Sequence, residues 1–103
     1  MTLQNLKAIL DGTGLPCVYR SWPVSEAPAL PWVAFYESNT ANFAADGKVY
    51  HKVQNYVVEL YTRIKDPVAE ALIETAFNNA GIYWEKSEEW LNDEKCNEII
   101  FNI

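Results

Sequence analysis

The chain has 103 residues, half of them hydrophobic, and a net charge of −6. That length supports one packed core without disulfides or a structural metal and leaves no room for a second core, so residues 1–103 read as a single domain. Only eight residues are Lys or Arg, and they are scattered. This excludes nucleic-acid binding by phosphate neutralisation, although an acidic wall still lets a polyanion slide past it.

The first element is a short helix. Thr2 suits the N-cap, Leu3, Leu6, Ile9 and Leu10 share one face, and Gly12-Thr13-Gly14 stops it. Cys17 to Trp22 reads as a strand. Pro23, Pro28 and Pro31 then punctuate an extended arm, because proline cannot donate to a ladder. Trp32 to Glu37 is the second strand. Ser38 to Ala45 is small and polar apart from Phe43, and Asp46-Gly47 is a turn dipeptide expected to order on docking.

Lys48 to Arg63 forms a long third strand, with a bulge expected near Gln54-Asn55. Lys65-Asp66-Pro67 ends it and opens a helix: Asp66 can accept from orphan amides, and Pro67 gives up an N–H that has no partner there. The helix places Ala69, Leu72, Ile73, Ala76, Phe77 and Ala80 on one side, with Gly81 as its left-handed cap. Ile82–Glu88 and Cys96–Ile103 are the last strands, joined through an acidic turn containing Asn92-Asp93-Glu94.

The order α-β-β-β-α-β-β implies an α+β two-layer sandwich, an antiparallel sheet of about five strands with two helices on one face. The other face is then a problem. Tyr56, Val58 and Leu60 point one way while Val57 and Tyr61 point the other, and Ile100 opposes Ile99 and Phe101. Two short helices cover one face only. With fourteen aromatics, four of them Trp, the surplus apolar surface points to self-assembly or docking.

Chemistry finds little support. His51 is the sole histidine and lacks converging partners, so it reads as a solvated loop residue. The acidic run Glu85, Glu88, Glu89, Asp93, Glu94 lacks the alternating ligands and central glycine of a calcium loop. Gly12-Thr13-Gly14 is too short to cradle phosphate. An acidic pair for hydrolysis is a reserve reading; Glu59 is the one carboxylate with apolar neighbours. No catalytic, cofactor or metal residue is assigned. Cys17 and Cys96 read as reduced thiols, bridgeable only if their strands are neighbours. The N-terminus lacks a basic leader and apolar run, and no segment is long enough to span a bilayer, so the expected location is cytoplasmic.

These segments resemble the tail-completion or tail-terminator proteins of long-tailed bacteriophages and prophages. The likeness runs through Tyr19-Arg20-Ser21-Trp22-Pro23, Ala27-Pro28-Ala29-Leu30-Pro31-Trp32-Val33 and Phe35-Tyr36-Glu37. It continues through Asn42 to Tyr50, Tyr56 to Thr62, Lys65-Asp66-Pro67, Ala80 to Trp84 and Asn97 to Phe101, in the same order. The resemblance implies a non-enzymatic minor tail protein without cofactors, assembled in the host cytoplasm and carried in the virion tail. It implies a ring, commonly hexameric, that caps the tail tube and docks the head connector while DNA passes through. An adjacent head-tail joining role and a small-ligand or peptide-binding domain are the alternatives. Trp22, Pro28, Pro31, Trp32, Phe43 and Tyr50 are the candidate subunit-interface residues.

Overall fold

A computed structural model describes the backbone of residues 1–45 and 48–103, and the side chains outside 41–53. The Asp46-Gly47 turn and the side chains of Phe43, Tyr50 and His51 therefore lie outside the described residues. The chain folds as α1 (Leu3–Asp11), β1 (Cys17–Tyr19), β2 (Trp32–Ala45), β3 (Lys48–Thr62), α2 (Pro67–Asn79), β4 (Glu85–Leu91) and β5 (Cys96–Asn102). The strands form one sheet in the order β1-β2-β3-β5-β4.

Local chemistry sets both helices. Thr2 caps α1 in a capping box with Asn5, whose backbone amide donates to the Thr2 hydroxyl at 3.1 Å. Asp66 caps α2 by accepting from the Ala69 amide at 3.0 Å, with Pro67 at the first position. Gly81, at φ 70°, takes the left-handed conformation beyond the helix end that a side chain would strain.

Both helices pack on one face of the sheet. Leu6 and Leu10 from α1 and Ala69, Ile73 and Phe77 from α2 meet Val33, Phe35, Tyr56, Val58, Leu60, Ile99 and Phe101 in the core. The alternation read along the third and last strands is thus the alternation of the sheet. Two positions of the α2 stripe differ: Leu72 and Ala80 are exposed. The inward line of α2 instead includes Glu70, which β4 satisfies with a lysine.

The sheet is mixed, not wholly antiparallel. β1 runs parallel to β2, pairing Cys17 with Val33 and Tyr19 with Phe35. A parallel pair needs a crossover of about a dozen residues, and the proline-punctuated arm after Tyr19 supplies it. β1 stops earlier than Trp22 because Arg20 adopts φ 66° while its amide still donates to Phe35 O at 2.8 Å. The last hairpin is also displaced. Ile82 and Trp84 pack against the core before the edge strand starts at Glu85, and Trp84 Nε1 donates to Asn78 at 2.9 Å.

β2 is longer than its apolar pattern suggests, since Asn39–Ala45 continues as strand. β5 pairs with β3 only over Val57–Thr62, and β1 with β2 only over Val33–Phe35. Among the described residues, the stretch Asn39–Ala45 and Lys48–Asn55 is therefore a two-stranded ribbon running beyond the sheet. The bulge lies where expected along the chain but on the other strand: Ser38 of β2 is the extra residue opposite the Asn55–Tyr56 step. Asn55 Nδ2 donates to Asn39 Oδ1 at 3.0 Å and Gln54 Nε2 to Asn39 O at 2.9 Å, clamping it. The ribbon stretches the molecule to 50 × 29 × 22 Å, with a radius of gyration of 15.1 Å. A chain this long packed into a ball would have about 13 Å.

Candidate protein-interaction face

The sheet face turned away from the helices is built by alternation. Registers place Trp32, Ala34 and Tyr36 of β2 beside Tyr61, Glu59 and Val57 of β3, followed by Glu98, Ile100 and Asn102 of β5. Neither α1 nor α2 covers this face. The crossover arm lies over one corner of it, so that Trp22 packs edge-on against Trp32 at 6.0 Å and 84°. Trp32 in turn lies 4.6 Å from Tyr61 at 38°. Edge and tilted contacts of this kind suit the ring quadrupoles.

Of the candidate interface residues, Trp22 and Trp32 thus meet on the open face, both partly buried, and Pro28 and Pro31 are half-buried in the arm. The structure brings the two tryptophans together. The Trp22 indole N–H is buried without an acceptor among the described residues. Leu30, Trp32, Tyr61 and Leu91 border a depression of about 410 Å³ that Glu94 and Cys96 close. A second depression of about 360 Å³ lies on the arm side of Trp32, between Trp22, Val24 and Arg20.

Two carboxylates occupy the middle of this apolar surface. Glu98 is only 7% exposed and stands across from Tyr61, while Glu59 accepts from the Tyr61 hydroxyl at 2.5 Å. Burial, then the shared hydrogen bond with Glu59, pushes the Glu98 carboxyl up to about 7. Hydrogen bonds from Glu98, Tyr61 and Tyr36 outweigh burial at Glu59 and hold it below its ordinary value. The two therefore retain one proton between them, on Glu98, well above the usual carboxylate range. The same burial and carboxylates push the Tyr61 and Tyr36 phenols up, and the Arg20 guanidinium sits 5.1 Å over the Tyr36 ring. No ion pair reaches Glu59 or Glu98 among the described residues.

This pair is the feature that sequence reasoning misses. Glu59 is visible by its apolar neighbours; Glu98 resembles one more charge near a polar turn, because its cross-strand neighbour cannot be read from spacing. Chemically the pair can hold a proton or receive a cation. It lines neither of the two depressions beside Trp32.

A different carboxylate is fully committed to the fold. Glu70 on α2, 3% exposed, accepts from Lys86 at 2.9 Å and lies 2.7 Å from Lys65. Lys86 also reaches Glu74, and Lys65 reaches Glu88 at 2.8 Å. These contacts pin the edge strand β4 to α2. On the outer side of α2, Val68 and Leu72 are exposed over a shallow groove of about 570 Å³ that runs to Gly12 and Thr13.

Cys17 and Cys96 are both free, and β2 and β3 separate their strands. The Cys17 thiol donates to Asp11 at 2.9 Å, and burial with that bond pushes it up to about 11. Among the described residues, no His, Cys, Asp or Glu cluster is placed to hold a metal ion, and no helix is long and apolar enough to cross a membrane. A scan against protein-family models gave no match to this chain. A search of curated proteins likewise gave no match.

Proposed function

We propose that the chain is a non-enzymatic structural subunit of the phage tail-terminator kind, working by self-assembly into a ring at the head-proximal end of a tail tube. One observation carries the reading: both helices pack on one face of the five-stranded sheet, and on the other Trp22, Trp32, Tyr61 and Ile100 remain half-buried. Apolar sheet surface of this kind is ordinarily shielded by a partner. A ring subunit needs two different patches that meet around a closed circle; the open sheet face and the projecting ribbon are two such patches on one chain. The acidic balance suits a channel through which DNA passes without adhering. The tube protein and the head connector are the partners this role requires, assembly takes place in the host cytoplasm, and the product resides in the virion tail.

The test is capping. Tubes polymerised from the tail-tube protein encoded beside this chain are incubated with it and viewed by electron microscopy. A ring of density on one tube end, with tube growth arrested, is the expected result. Unchanged tube length with bare ends at saturating protein overturns the reading.

A further inference from the structure

Separate parts of the chain meet in the recess beside Trp32. Trp32 opens β2 and stands opposite Tyr61 near the end of β3, Leu91 and Cys96 face each other across the β4–β5 hairpin, and Leu30 joins them from the crossover arm. With Glu94 of the hairpin turn they border about 410 Å³, within the roughly 300–1,000 Å³ of small-ligand sites. Leu30, Trp32, Tyr61 and Leu91 are half-buried, whereas Glu94 is exposed.

The rings are held before any ligand arrives. Trp22 braces Trp32 edge-on at 6.0 Å, and the Tyr61 hydroxyl is tied to Glu59. Such preorganisation lowers the cost of binding. The Trp32 and Tyr61 rings lie 38° apart in plane with centroids 4.6 Å apart. That arrangement is a tilted platform and not a closed cage, and it suits a flat cation stacked on a ring better than a tetrahedral ammonium.

Charge points the same way. Glu94 enters no ion pair among the described residues, and the lining contains no Lys or Arg. Burial, then the nearby Glu94 and Glu98, push the Cys96 thiol up, so it stays neutral and Glu94 supplies the charge of the lining. The chain already uses the matching contact on this side of the sheet, where the Arg20 guanidinium sits 5.1 Å over the Tyr36 ring.

We propose that this recess binds an arginine side chain presented by a partner protein, its guanidinium stacked on the Trp32–Tyr61 platform and paired with Glu94, its methylene stem lying along Leu30 and Leu91. A guanidinium satisfies a ring face and a carboxylate at once, and its weak hydration lowers the cost of leaving water. The stem replaces water on the leucine surfaces. An uncharged apolar side chain would use the same walls but would leave the carboxylate without a partner. The inference concerns one side-chain contact and stands whether or not the chain closes into a ring.

Isosteres test it. Heteronuclear NMR spectra of the chain are followed during titration with capped glycine–X–glycine peptides in which X is arginine, citrulline or norleucine. Citrulline keeps the shape of arginine without its charge, and norleucine keeps only the stem. The arginine peptide is expected to shift the Trp32 indole and Glu94 amide signals saturably and to bind about fivefold more tightly than either of the others, the margin that a cation–π contact and an exposed ion pair supply together. Glu94→Gln, at an exposed position and with its fold verified by a circular-dichroism melt, is expected to remove most of that margin. Equal affinity for the arginine and norleucine peptides makes the recess a purely apolar site and overturns the proposal. So does a margin that survives Glu94→Gln, or an arginine titration that leaves the Trp32 indole signal unmoved.

Discussion

Replacing Glu98 by glutamine isolates the proton held on the open face. In the folded chain the Glu98 carboxyl stands at about 7 against an ordinary 4.5. Between those values the folded state keeps a proton that the unfolded state has released, so the group lowers stability as pH rises through that window and changes nothing further above it. A shift of this size borne by one group is worth about 3 kcal/mol. Glu59, held below its ordinary value by the same hydrogen bonds, returns part of that, leaving about 1–2 kcal/mol for the pair. The amide of the E98Q variant cannot ionise and can donate to Glu59 at every pH. Urea denaturation of dilute monomer at pH 5, 6, 7 and 8 should therefore show this variant gaining about 1–2 kcal/mol over the parent at pH 8 and almost nothing at pH 5. A difference that is the same at pH 5 and pH 8, or one that grows toward low pH, refutes the shared proton.

Other substitutions separate core from surface. Leu60→Ala and Phe77→Ala, both fully buried, should each cost about 2–5 kcal/mol in a urea titration of the monomer. Glu70→Ala removes the buried carboxylate that joins Lys65 and Lys86 at the α2–β4 seam; since both lysines are partly exposed and keep Glu88 and Glu74, the expected loss is about 1–2 kcal/mol, below that for a wholly buried pair, and hydrogen exchange should show β4 opening first. Trp22→Ser should abolish assembly in light scattering while the monomer still melts cooperatively; loss of the cooperative transition would place Trp22 in the core.

What the sequence reveals follows the physics of each element. Caps and periodicity are local, so Thr2, Asp66-Pro67 and Gly81 mark both helices, and the period-two pattern at Tyr56–Tyr61 assigns the two sheet faces. Direction is not local: nothing in Cys17–Tyr19 records whether its neighbour runs parallel, and the proline arm that decides it reads as a simple connection. Asn39–Ala45 is small and polar and shows no apolar alternation, so its strand character rests on pairing with Lys48–Asn55 and is not visible in its own pattern. β4 starts later than its pattern suggests for the opposite reason, as the apolar Ile82 and Trp84 belong to the core but not to the edge strand. Trp22 and Trp32 stand out by composition, whereas the Glu59–Glu98 pair depends on cross-strand register and does not.

The most direct test is native mass spectrometry of the purified chain over a dilution series from high micromolar to nanomolar. The account predicts one closed oligomer that replaces the monomer as concentration rises. A single copy at every concentration, with Trp22 and Trp32 fluorescence unchanged throughout, would contradict it.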